Sequence, residues 1–158
     1  MTRVAVSGHR GLPEATERLV NQALRETLGQ HGPDLVGISC IADGADQLFA
    51  HAVLELGGRL EVVVPATKYR QALPSECWPT YDRLLSEASQ VHQLEYTEST
   101  SEAHQAASEY MVDRADILVA IWDGLPARAY GGTADVVAYA RDMGKTVEVI
   151  WPAGASRG

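Results

Sequence analysis

Short apolar runs alternate with helical patterns along the whole chain, and that alternation constrains the fold more than any other feature. The runs fall at 4–6, 35–39, 60–64, 117–122 and 146–151 and are rich in Val, Ile and Leu, with a weaker one at 91–94. Nearly continuous apolar runs suit strands that are covered on both faces. Between them, apolar residues recur at helical spacing: Leu19, Val20, Ala23, Leu24 and Leu28; Ala45, Leu48, Phe49, Ala52, Val53 and Leu56; Ala103, Ala106, Ala107, Tyr110 and Met111. Ser99-Thr100-Ser101-Glu102 reads as a capping box for the third of these helices. A last helix is expected over 134–143, closed by Gly144. Pro65 is expected to end the third strand, and Pro74 and Pro79 to break 66–89 into short pieces with a helix at 80–88. Strands alternating with helices predict an α/β fold, a doubly wound and mainly parallel sheet with helices on both faces. At 158 residues one domain is expected, over 1–151, followed by a frayed tail at 152–158.

The formal net charge of −8 opposes a general nucleic-acid or membrane binder, whose surfaces are basic. A local basic pocket is compatible with it, and Arg10, Lys68, Arg70 and Arg128 are the candidates to line one. Cys40 and Cys77 are too few for a disulfide scaffold and match no zinc spacing, so reduced thiols are expected. No apolar run approaches the ~20 residues of a membrane span. A cytoplasmic protein is the expectation.

In a doubly wound sheet, ligands bind at the carboxyl ends of the strands. That rule gathers 7–10, 39–46, 65–70, 95–101 and 123–133 on one rim. Gly131, Gly132 and Thr133 open a helix beyond the end of the strongest strand. Such a place offers unpaired amides and the positive end of a helix dipole, hence a phosphate seat. Its plainer reading is a loop capped by Thr133. Gly8 permits a tight turn beside His9, and Arg10 offers a fork for phosphate or carboxylate. Asp43 reads either as a helix cap or, with Asp46, as an acceptor of ribose hydroxyls, while Gly44 lets backbone come close to a ligand. Asp123 and Gly124 end the strongest strand, where the carboxylate binds ribose, acts as a base or fixes its own turn. Arg128, Ala129 and Tyr130 are placed to lie over a ligand, with Tyr130 stacking on a base, or to face solvent. The five histidines form no metal-ligand spacing, so no metal is expected; His9 and His104 are acid–base candidates, with structural roles as the alternative. The first loop has neither the G-x-G-x-x-G nor the G-x-x-x-x-G-K-[ST] spacing.

These motifs, in the order Val4-Ala5-Val6-Ser7-Gly8-His9-Arg10, Ala42-Asp43-Gly44-Ala45-Asp46, the strand into Pro65, Ala115-Asp116, Trp122-Asp123-Gly124 and Gly131-Gly132-Thr133, resemble the SLOG superfamily, named for the Smf/DprA and LOG proteins. The resemblance runs from about Arg3 to Trp151. It implies a Rossmann-like fold that binds nucleotides or nucleotide-derived ligands, often as a homodimer. LOG-type members cleave nucleoside monophosphates with P-G-G-x-G-T-x-x-E and an Arg-Lys pair on the preceding helix. Here the glutamate position is Val136 and the Arg-Lys positions are Ala107 and Ser108, so that activity is not carried over. DprA-like members bind single-stranded DNA, which the net charge and the lack of an aromatic and basic stripe argue against here. The expectation is a binding domain for a phosphate-containing, ADP-ribose-like or other nucleotide-type ligand, with no required cofactor. The alternatives are an enzyme acting at an N-glycosidic bond through Asp46 or Asp123 with His9 or His104, and an interaction protein with a vestigial pocket.

Overall fold

Strand β1 (Thr2–Gly8) shows why the apolar runs are continuous. Val4 and Val6 enter the core on one side of the sheet, and Ala5 enters the core on the other. In β5 (Ile117–Ile121), Val119 and Ile121 follow the first pair while Leu118 and Ala120 join Ala5. With side chains alternating at period 2, a strand covered on both faces needs apolar residues at every position. The structure is a computed structural model and describes residues 1–128 and 130–157; Ala129 and Gly158, which figure in the expected ligand-covering loop and tail, lie outside the described residues.

All pairings in the six-stranded sheet are parallel, in the order β4-β3-β2-β1-β5-β6. The remaining strands are β2 (Leu35–Ser39), β3 (Arg59–Ala66), β4 (Gln90–Tyr96) and β6 (Thr146–Ile150). Helices α1 (Glu14–Gly29) and α2 (Ala45–Glu55) cover one face, burying Val20, Leu24, Leu28, Phe49 and Val53. Helices α5 (Ser101–Asp113) and α6 (Thr133–Asp142) cover the other with Ala107, Met111, Val136, Val137 and Ala140. The short α3 (Tyr69–Ala72) and α4 (Trp78–Glu87) fill the β3–β4 connection, α4 packing beside α2. This is a single doubly wound α/β domain, as the alternation predicts.

Four details differ from expectation. Strand β3 continues through Pro65 to Ala66, and its pairing with β4 shifts register between Val64 and Ala66. A proline has no N–H for the ladder, so the register slips around it rather than the strand ending. Helix α4 begins at Trp78 because Pro79 suits the first turn. The cap of α5 is Thr100, whose Oγ1 accepts from the Ala103 amide at 3.1 Å; Ser99 instead bonds His104 Nε2 at 2.7 Å. Finally, the segment after β6, expected as a frayed tail, is tied to α1 at Ser156: Thr16 Oγ1 donates to the Ser156 carbonyl at 2.8 Å and accepts from the Ser156 amide at 2.9 Å.

Candidate functional site

Strand order reverses between β1 and β5, so the loops leaving their carboxyl ends part and open a crevice. A cavity of about 300 Å³ fills it. Of the residues expected at the rim, Gly8, His9, Arg10, Asp46, Gly131, Gly132 and Thr133 line this cavity. Asp43, Gly44, Asp123 and Gly124 do not; they hold the loops that form it.

Asp43 clasps the β1–α1 loop. Its Oδ1 accepts from Arg10 Nη2 at 2.8 Å and Nε at 2.9 Å, and its Oδ2 accepts from the Gly11 amide at 3.2 Å. It makes no cap bond to α2. Gly44, at φ +85°, packs against the backbone of 9–11, and the Ala45 amide donates to the His9 carbonyl at 3.1 Å. The close approach that needs a glycine here is therefore to the protein's own loop rather than to a ligand. Asp123 fixes its turn by accepting from the Leu125 amide at 3.0 Å, and its Oδ1 lies 3.3 Å from His9 Nε2. That nitrogen also lies 3.2 Å from the Asp123 amide. Burial first, then the charge of Arg157, lowers the His9 pKa, so the ring is neutral and Nε2 accepts the amide proton. Burial works to raise the Asp123 pKa, but the net shift is downward, with the Leu125 amide and the charge of Arg157 favouring the ionised carboxyl.

The start of α6 is more constrained than its sequence implies. Gly131 has φ +88°, and a Cβ there would lie 2.9 Å from the Ser101 carbonyl oxygen. Its amide donates to Asp135 Oδ2 at 2.9 Å, so a carboxylate of the same helix already takes one of the three expected anion donors. The first intrahelical bonds run from the Asp135 and Val136 amides to the Gly132 carbonyl. The amides of Gly132, Thr133 and Ala134 come before that turn, as in any helix start, and these three residues line the cavity. Ser7 Oγ donates to Thr133 Oγ1 at 3.4 Å, linking β1 to this turn.

The opposite wall combines Asp46 with Tyr69, His104 and Cys40. Asp46 is partly exposed into the cavity but otherwise enclosed by protein; its Oδ2 accepts from the Ala42 amide at 3.3 Å. Burial pushes its carboxyl up to about 7, against the pull of that amide and of Arg10. It is thus a group that takes up or releases a proton near neutrality. Burial also raises Tyr69 and Cys40 well above their ordinary ranges and, aided by Arg10, lowers His104. Ile41, fully buried with φ +48°, carries the strain of this loop, roughly 1–2 kcal/mol for a residue with a Cβ. Ser39 Oγ and Gln47 Nε2 hold its amide and carbonyl in place.

Arg10 and Arg128 line the cavity as expected for a basic pocket. Lys68 and Arg70 do not: they pair with Glu98 at 2.9 Å and Asp82 at 2.8 Å, away from it. Tyr130, 59% exposed, is not part of the lining either. The third arginine is Arg157, from the segment after β6. Sequence reasoning misses it because nothing local ties position 157 to the rim. Tyr69 and Trp122 are also missed as lining residues: Tyr69 lies within the expected rim segment 65–70, and Trp122 stands at the end of the expected strand 117–122. No cluster of metal-ligating side chains occurs among the described residues. Among the described residues no helix is long and apolar enough to cross a membrane.

No protein-family model and no curated protein sequence matches this chain. Solved structures do. DNA processing protein A from Streptococcus pneumoniae superposes with a TM-score of 0.70 at 18% identity, over 98% of this chain and 52% of that one, so the chain spans about half of that protein's length. DNA processing protein A from Helicobacter pylori, described with a single-stranded DNA binding mode, gives 0.70 at 15% identity over 98% of this chain and 68% of that one. The molybdenum cofactor binding protein of Rippkaea orientalis gives 0.61 at 15% identity over 94% and 75%. With its strand order, its switch-point cavity and these neighbours, the chain has a Rossmann-like fold of the kind these solved structures share.

Proposed function

We propose that the cavity binds a nucleotide or a nucleotide-derived, ADP-ribose-like ligand. Its phosphate would lie against the amides of Gly132, Thr133 and Ala134, and its sugar or base toward Asp46, Tyr69 and His104. The observation that carries this reading is convergence. In a chain of net charge −8, Arg10, Arg128 and Arg157 come from three separate segments to the cavity that also holds the start of α6. Guanidinium forks and helix-start amides are the groups that phosphate favours. A volume of about 300 Å³ lies at the small end of ligand sites and suits a mononucleotide or one half of a larger ligand. In this reading the protein acts in the cytoplasm, where its two free cysteines stay reduced, and pairs as a homodimer.

Titration calorimetry with AMP, ADP, ADP-ribose and NAD tests the reading. Gly132 has φ −75° and ψ 175°, open to any residue, so Gly132→Asp adds bulk and negative charge without backbone strain. It is expected to weaken the best ligand at least ~10-fold, the effect of losing one charge-assisted contact. Unchanged affinity in a folded variant would move the phosphate to the Gly8–Arg10 side. Single-stranded DNA, the ligand class of the Helicobacter neighbour, is the competing arm; the acidic surface gives it little counterion release. Micromolar, salt-sensitive binding of an unrelated oligonucleotide would favour that class instead. If no probe binds, the pocket is vestigial.

A second reading, cleavage at an N-glycosidic bond, is favoured by one observation, the Asp46 carboxyl near neutrality inside the cavity. LOG-type turnover is not expected, since Val136 lies in the core at 1% exposure and offers no carboxylate. Base release from AMP at ~1 per second or faster, an ordinary enzymatic rate, would overturn that expectation. Slower release that Asp46→Asn abolishes would establish the second reading.

A further inference from the structure

We infer that Arg157 is a phosphate-binding residue of the cavity, held ready by Asp123, and that it selects phosphorylated ligands over the corresponding nucleosides. The inference rests on the nucleotide-binding reading above and assigns it a residue from outside the sheet. After β6 the chain turns, with the Ala155 amide donating to the Pro152 carbonyl at 3.0 Å, and reaches α1. There the two bonds between Thr16 Oγ1 and the Ser156 backbone fix the residue before Arg157. Thr16 is itself buried, so this anchor is firm. Arg157 is thereby delivered to the cavity wall with its side chain only 20% exposed.

What Arg157 does there follows from how weakly it is held. Its Nη1 lies 3.4 Å from Asp123 Oδ2, against 2.8 Å for the Arg10–Asp43 pair. A guanidinium has five N–H donors, and this contact uses one of them at a length well beyond a tight charge-assisted bond. Asp123, by contrast, is committed through its other oxygen to the Leu125 amide and lies against His9. When a phosphate enters, the carboxylate stays with its turn and the arginine is the partner free to rotate. Asp123 therefore orients Arg157 and competes with the anion for it.

The plainer role, pinning the terminal segment, predicts lost stability and nothing else. Calorimetry with AMP, ADP-ribose and adenosine on the full chain separates the two. Arg157→Ala is expected to weaken the better phosphorylated probe roughly 10- to 100-fold, as loss of a charged hydrogen bond does, and to leave adenosine unchanged. Arg157→Lys should recover part of the loss by restoring charge without the fork. Asp123→Asn, which keeps an oxygen for the Leu125 amide, should tighten the phosphorylated probe. If native protein binds a phosphorylated probe and Arg157→Ala binds it equally well, whatever its melting temperature, this inference fails and the nucleotide reading stands. If native protein binds neither AMP nor ADP-ribose, both fail. Should Arg157→Ala not fold, Arg157→Lys and Asp123→Asn decide: unchanged affinity in both refutes the role.

Discussion

Replacing Gly44 with alanine is expected to cost about 3 kcal/mol of stability, as the sum of two separate effects. Gly44 has φ +85°, a region that costs a residue with a Cβ about 1–2 kcal/mol. The added Cβ would also lie 2.8 Å from the His9 carbonyl oxygen and 3.0 Å from both Arg10 Cα and Gly11 N. All three are backbone atoms, held by Asp43 and by the Ala45 amide, so they have no easy retreat. Such overpacking adds about 1–3 kcal/mol. For a chain of this size the melting temperature should fall by roughly 6–12 °C. Gly57→Ala is the control, because Gly57 has φ +81° with nothing within 4 Å of its Cβ position. It measures conformational strain alone. Equal losses in the two variants would show that the contact between the two loops is not tight.

Asp46→Asn should stabilise the protein, and by more at high pH. The carboxyl has an ordinary value of 3.8 and is raised by burial to about 7 in the folded chain. The native state therefore binds more protons than the unfolded chain between those values, and stability falls as pH rises through that window. The penalty is absent below the unfolded value, grows across the window and is complete above the folded one. At 1.36 kcal/mol per unit it amounts to about 2 kcal/mol at pH 5 and about 4 kcal/mol at pH 8. Asparagine keeps an oxygen for the Ala42 amide and has no charge to bury. Urea unfolding of both proteins at pH 5 and pH 8 measures the difference. A gain that is the same at both pH values would mean that water solvates the native carboxylate as it does any surface aspartate.

Part of this site is legible in the chain itself. The loops after β1, β2 and β5 belong to one rim because parallel strands all end on the same side, and the apolar runs disclose the strands. Gly131 and Gly132 before a helical pattern disclose a helix start. What local sequence cannot disclose is which of these groups the protein uses on itself. Asp43 reads as a cap or a ribose acceptor, yet Arg10 takes it, thirty-three positions away. The Gly131 amide reads as an anion donor, yet Asp135 occupies it. Lys68 and Arg70 read as pocket cations with the same right as Arg10 and Arg128, yet they pair with Glu98 and Asp82 away from the cavity, while Arg10 lines it although Asp43 holds it.

By itself the sequence determined the class of fold, the run of its strands and the rim on which a ligand site must lie. Those properties rest on periodicity, which is local and repeats along the chain. Tertiary structure alone decided that Arg157 reaches the cavity, that Asp123 lies against Arg157, and that Asp46 is enclosed enough to titrate near 7. Pairing and desolvation depend on what surrounds a side chain in space, and the groups that surround these three are set by the folding of distant segments against one another.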